Sequence, residues 1–190
     1  MNHSLMLTAD GWLQPARHCP SPHFDDRPEP EVSLLVIHSI SLPPGQFGGP
    51  YIDQLFLGQL DPDDDAYFVG IQHLKVSAHC LIRRDGELVQ YVSLHKRAWH
   101  AGQSHFQGRE RCNDFAIGIE LEGTDTGSFT QLQYQTLTEL TRLIQVQFPA
   151  ITSEHIVGHS DIAPGRKTDP GTGFDWSFME HLPSAASSKP

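Results

Sequence analysis

Residues 32–37, VSLLVI, form a nearly continuous apolar run rich in β-branched side chains. That pattern belongs to a strand covered on both faces. Residues 115–122, FAIGIELE, alternate instead, with Ile117, Ile119 and Leu121 facing one way and Gly118, Glu120 and Glu122 the other. The period of two predicts a strand, and its acidic side should not point into an apolar core. Runs at 76–83 and 87–93 flank Asp85-Gly86. An Asp-Gly pair favours a tight hairpin because both central positions accept positive φ. Thr130 and Gln133 are spaced as a capping box, and Leu137, Leu140, Ile144 and Phe148 follow at helical spacing before Pro149. A single apolar stripe on such a helix packs against a sheet. Pro50 can open a shorter helix over YIDQLFLGQL.

Outside these elements the pattern weakens. Pro15, Pro20, Pro22, Pro28 and Pro30 keep residues 1–31 extended, with at most a short edge strand, and the end PSAASSKP is small and polar. The reading is one domain: an arm at 1–31 packed on a body at 32–182, then a disordered tail at 183–190.

A chain of 190 residues can bury a full core, and 38% hydrophobic residues is ordinary for a globular protein. The net charge of −10, with no basic tract, excludes a phosphate-neutralising role on nucleic acid. The N-terminal MNHSLMLTADGW lacks the pattern of a secretory signal, and no apolar run is long enough for a membrane span. Cys19, Cys80 and Cys112 are unequally and widely spaced, which suits buried reduced thiols in a cytoplasmic protein. The acidic DPDDD at 61–65 lacks the glycine and distal glutamate of a calcium loop and reads as solvated.

Twelve histidines narrow the search for chemistry. Residues 159–171, HSDIAPGRKTDPG, combine His159, Lys167 and Asp169 with two prolines and two glycines, so an ordered loop is expected rather than a helix or strand. An imidazole and a carboxylate in one stiff loop suit zinc, at roughly 2.0–2.2 Å from each donor. Lys167 would lie beside the metal without binding it. A plain solvated loop is the alternative until a third ligand is found. His38 supplies one: it follows the first apolar run and opens onto SLPPGQFGGP, although a hydrogen-bonded core histidine fits there too. A strand placed beside that run would aim Glu120 at the metal, with Glu122 behind it. Trp99 and His100 precede Ala-Gly in KRAWHAG, where an aromatic wall for a sugar and an ordinary core tryptophan remain equally open; His79 could face the site or the opposite layer.

The segments LLVIHSISLPPGQFGGP, VSAHCLIRRDGELVQYV, KRAWHAG, RERCNDFAIGIELEGTD and GHSDIAPGRKTDPG together resemble the cytoplasmic zinc amidases that recycle anhydro-muropeptides. These 1,6-anhydro-N-acetylmuramoyl-L-alanine amidases sit in a wider family with phage lysozyme-type amidases and peptidoglycan recognition proteins. The resemblance spans about residues 12 to 178. It implies a single α/β domain, a central mixed sheet flanked by helices, and one zinc ion in a surface groove. It places the metal ligands on His38, His159 and Asp169, the acid/base on Glu120 and the cationic electrophile on Lys167. It also puts Trp99 near the sugar and offers Arg111 and Lys75 for the peptide carboxylates. Ser39 stands where the recycling enzymes are expected to carry asparagine, which shortens its reach to substrate; Ser160 and Gly165 also depart from the pattern without touching a ligand.

The reaction so implied is hydrolysis of the amide between anhydro-N-acetylmuramic acid and L-alanine. Zinc acidifies the attacking water, Glu120 moves its proton, and Lys167 with zinc stabilises the oxyanion. A monomer acting on a small muropeptide, with no nucleic-acid or membrane partner, is expected. The rival readings are an exported amidase of polymeric wall and a non-catalytic peptidoglycan-binding module.

Overall fold

The structure is a computed structural model that describes residues 4–180. Six strands join one sheet: β1 (Arg17–His18), β2 (Leu34–Ile40), β3 (Cys80–Ile82), β4 (Leu88–Gln90), β5 (Ala116–Glu122) and β6 (Ile156–Gly158). Four helices accompany them: α1 (Tyr51–Leu57), α2 (Gln131–Gln147), α3 (His159–Ile162) and α4 (Ser177–Glu180). Across the sheet the order is β6, β2, β5, β3, β4, β1. All neighbours run parallel except β3 and β4. This is the mixed α/β architecture expected.

The two long strands occupy the middle because each needs cover on both faces. Leu34, Leu35, Val36 and Ile37 are all fully buried. Their alternation sorts the core. Leu35, Ile37, Ile117 and Ile119 pack with Leu137, Leu140 and Ile144 of α2 on one side. On the other side Leu34, Val36 and Ala116 pack with Ile162 of α3, while Leu81 and Val89 pack with Ile52, Leu55 and Phe56 of α1. The functional side chains lie between these two smaller clusters. The capping box is present: Thr130 Oγ1 accepts the Gln133 N–H at 3.1 Å and Gln133 Oε1 accepts the Thr130 N–H at 3.0 Å.

Several boundaries differ from the sequence reading. β2 continues past Ile37, so His38 lies inside the strand, held there by the pairing of β2 with β5 from Leu34↔Ala116 to Ile40↔Glu122. The β3–β4 turn uses three residues: Arg83 N–H donates to Glu87 O at 2.9 Å, and only Gly86, at φ 86°, takes positive φ. α1 stops at Leu57 because Gly58 turns left-handed, at φ 68°. Ile156–Gly158 is a strand too short to show periodicity, and His159 begins a one-turn helix rather than a loop.

The arm contributes more than one edge strand. Met6–Leu7 pairs with Leu13–Gln14, Phe24–Asp25 pairs with Arg97–Ala98, and Arg17–His18 closes the sheet edge beside β4. Leu13 is fully buried, and its N–H donates to Gln90 Oε1 at 2.6 Å. Arg27 reaches inward and donates to the carbonyls of Asn113 (3.1 Å), Asp114 (3.2 Å) and Ala116 (2.9 Å). Burial pulls its pKa down to about 10, still charged at neutral pH. The tail at 183–190 lies outside the described residues.

Because one part-buried guanidinium serves all three carbonyls, Arg27→Ala should destabilise the fold by about 2–4 kcal/mol. Urea unfolding measures this directly. A change under about 0.5 kcal/mol, the scale of an ordinary surface substitution, would show that the arm docks without that anchor.

Candidate functional site

Strand register brings the first two groups together. β2 and β5 are parallel with His38 paired to Glu120, so both side chains leave the sheet on the face opposite α2 at the same level. His159 arrives from β6, the neighbour of β2 on its other side, at the first position of α3. The Asp161 carboxylate accepts the Gly158 N–H at 2.7 Å and fixes that strand-to-helix turn. Ser160 N–H donates to Asp169 O at 2.9 Å, which folds the far end of the loop back beside His159.

The result is a triangle of donors. His38 Nδ1 and His159 Nδ1 lie 2.9 Å apart, and Asp169 Oδ2 is 3.1 Å from the first and 3.0 Å from the second. His159 Nε2 faces the Ala101 carbonyl at 3.1 Å, and a carbonyl can only accept. With the ring proton on Nε2, where the Ala101 carbonyl accepts it, His159 Nδ1 turns a bare lone pair toward a carboxylate oxygen. Two acceptors at that distance repel unless a cation lies between them. Tetrahedral zinc, with bonds of about 2.0–2.1 Å, needs donors about 3.3 Å apart, close to the spacing found. Burial pushes the His38 pKa down to about 4, so this ring is neutral and free to coordinate. Burial works to raise the Asp169 carboxyl, and only hydrogen-bonding protons or positive charge on the side of His159 and His38 hold it well below the usual carboxylate range; with both Nδ1 atoms bare, that part falls to a cation. All three residues fit a metal ion.

Glu120 stands beside the triangle. Its Oε2 is buried and has no hydrogen-bond partner among the described residues. Burial raises its pKa well above the ordinary carboxylate value, the charge on Asp169 raises it further, and the Lys167 ammonium opposes both. Lys167 is exposed and makes no ion pair among the described residues, which leaves its charge available. These five side chains line one cavity of about 540 Å³. Two imidazoles with a carboxylate, an unpartnered carboxyl and a free cation around one space can move a proton and stabilise an anion.

Of the substrate candidates, Ser39 and Trp99 line this cavity. Ser39 Oγ is occupied, donating to Asp125 Oδ1 at 3.0 Å, and Trp99 Nε1 donates to Asp25 Oδ1 at 3.0 Å. Lys75 is exposed between Leu74 and Val76 at the rim. Arg111 does not reach this cavity; it adopts left-handed backbone, faces Asp114 at 3.4 Å and borders a separate cavity of about 390 Å³. Glu122, expected behind Glu120, has a different task. It is buried and accepts the N–H groups of Gly48 (2.6 Å) and Arg84 (3.2 Å), pinning the loop at 41–50. His79 is settled as a core histidine: it takes the Gly118 N–H at 3.0 Å on Nδ1 and meets Lys96 O at 3.0 Å through Nε2.

Two cavity residues escaped the sequence reading as functional candidates. Asp125 ties Ser39 to the Thr168 hydroxyl, so it joins the end of β2 to the loop between Lys167 and Asp169. No local spacing signals that link. His100 contacts His38, and its only sequence signal is adjacency to Trp99.

The comparisons agree with this geometry. A family model described as N-acetylmuramoyl-L-alanine amidase matches residues 28–172. The 1,6-anhydro-N-acetylmuramyl-L-alanine amidase AmpD of Citrobacter freundii is 60% identical over 185 residues, covering 97% of this chain and 98% of the relative. Its Escherichia coli namesake is 62% identical over 180 residues, covering 94% and 98%. A crystal structure of a selenomethionine AmpD derivative superposes with a TM-score of 0.90 at 61% identity, over 93% of this chain and 99% of the other. The E. coli amidase AmiD, solved with anhydro-N-acetylmuramic acid-L-Ala-D-γ-Glu-L-Lys, gives a TM-score of 0.58 at 27% identity, over 94% of this chain and 65% of that one.

Purified chain is expected to hold one zinc ion, and His159→Ala to lose it. Metal analysis of both proteins checks this. Full zinc occupancy in His159→Ala would show that the ion sits elsewhere.

Proposed function

The chain belongs to the N-acetylmuramoyl-L-alanine amidase family, and from that premise we propose that it is a zinc hydrolase of soluble anhydro-muropeptides. The bond cut is the amide between anhydro-N-acetylmuramic acid and L-alanine, in recycling of the cell wall. The observation that carries the proposal is the unpartnered Glu120 carboxyl, set in register with His38 at the edge of the donor triangle. A peptidoglycan-binding module has no use for a buried carboxyl left without a partner.

His38, His159 and Asp169 would hold the metal. Zinc bound by three protein donors supplies a Lewis acid that acidifies water and polarises a carbonyl. Glu120 takes a proton from the attacking water and returns it to the departing alanine nitrogen. Its raised pKa suits both halves of that task, since the group must release its proton as readily as it gains it. Lys167 places positive charge against the oxygen that becomes anionic as the amide is attacked. Trp99 offers an aromatic wall in the cavity and Ser39 a hydroxyl at its base. Lys75 at the rim and Arg111 beyond it are placed for the charged end of a longer peptide rather than for the reacting bond.

The proposed setting is cytoplasmic. Cys80 and Cys112 are buried and Cys19 half-buried, all as free thiols, and no described helix is long and apolar enough to cross a membrane. The proposed working form is a monomer without nucleic-acid or membrane partners.

Glu120→Gln should lower kcat by about 10²–10⁴ and Lys167→Ala by about 10²–10³, with zinc and fold retained in both. Near-normal kcat in Glu120→Gln would place the base elsewhere. The pH profile adds an independent check. Lys167 lowers the Glu120 pKa, so its removal raises that pKa, and the acid limb of kcat/KM should move to higher pH. An unmoved limb would mean that the two groups do not share a site. Anhydro-muropeptides should be turned over in clear preference to intact sacculi; equal turnover would favour an amidase of the polymeric wall.

A further inference from the structure

The Nδ1 atom of His38 is free to bind a metal only when the ring proton sits on Nε2. That nitrogen lies 2.9 Å from Nδ1 of His100. Between two neutral imidazoles one nitrogen must donate and the other accept. With zinc on His38 the direction is fixed: His38 Nε2–H donates, His100 Nδ1 accepts, and the proton of His100 is displaced to its own Nε2. That Nε2 is buried and has no hydrogen-bond partner among the described residues. A buried donor left unpaired in a native structure calls for an explanation. Holding the ligand tautomer of His38 provides one.

The surroundings hold His100 in this pose. Asn113 Oδ1 accepts both the His100 N–H at 3.2 Å and the Ala101 N–H at 2.8 Å, which clamps the backbone that presents the ring. Gly118 on β5 leaves the space the ring fills, since a Cβ at that position would come within 2.4 Å of His100 Nδ1. The two imidazoles meet edge to face, with centroids 5.0 Å apart. His159 finds its equivalent partner in a backbone carbonyl, whereas His38 depends on a side chain.

We propose that His100 is a positioning residue for the metal, fixing His38 as an Nδ1 ligand by accepting its Nε2 proton. The inference rests on the zinc reading of the site. A partner in this position usually contributes about 10–100-fold to metal affinity. Chelator competition on the intact chain should therefore show His100→Ala binding zinc about 10–100-fold more weakly. His100→Gln, whose side-chain carbonyl can also accept from Nε2, should recover most of the loss. Nitrogen-15 NMR of the unaltered zinc-loaded chain should find the ring protons of His38 and His100 both on Nε2. Parental affinity in His100→Ala, or a His100 proton on Nδ1, would overturn the proposal. Should His100→Ala fail to fold, the tautomers of the unaltered chain and the affinity of His100→Gln decide the question. A parent that binds no zinc would instead remove the functional reading on which this one stands.

Discussion

The site depends first on a matter of register. β2 and β5 lie parallel with His38 level with Glu120, and a slip of one residue would send one of the two side chains to the face covered by α2. The slip is opposed by apolar contacts on both faces, because Leu34 to Ile37 and Ala116, Ile117 and Ile119 have no solvated side to which they could turn. The core thus aligns the His38 imidazole with the Glu120 carboxyl without either group contributing to the alignment. The remaining parts build on that pair. β6 adds His159 from the next strand, and the loop after α3 returns Asp169 to close the triangle.

Much of this could be read from the chain. A continuous apolar run located β2, and a hydrophobic period of two located β5 and put Glu120 on the polar side of its strand; a capping box and one apolar stripe located α2. The loop with His159 and Asp169 fitted a plain solvated segment equally well until His38 joined it, and the family resemblance pointed to the same three residues, which the fold brings together. What escaped were contacts with no local signature. β6 is three residues long, too short for any period to show. The acid on Glu122 resembled a site residue because pattern alone cannot reveal that Gly48 and Arg84 take up its oxygens. Arg111 borders a cavity apart from the main one and carries a left-handed backbone angle, φ 61°, that its residue type would not suggest.

Burial and charge work in opposite senses around the site. The buried rings of His38, His79 and His100 are all kept neutral by desolvation, while the pKa of Asp169 is held low by hydrogen bonding and positive charge at the histidine side of the triangle. Glu120 has burial and a neighbouring carboxylate against it and only the Lys167 ammonium in its favour. Two carboxyl groups in one cavity thus have opposite proton affinities, as the separate roles proposed for Asp169 and Glu120 require.

Ala101 is an unassuming residue, fully buried and with a single methyl group, yet its carbonyl receives both His159 Nε2 and Arg166 Nη2. His159 is therefore aimed by main chain and His38 by a neighbour's side chain. Genetic drift acts unequally on the two. Any residue small enough for position 101 keeps the carbonyl that steers His159, so that aim is inherited with the backbone. The aim of His38 is written in a single codon, at position 100, and can be lost in one step.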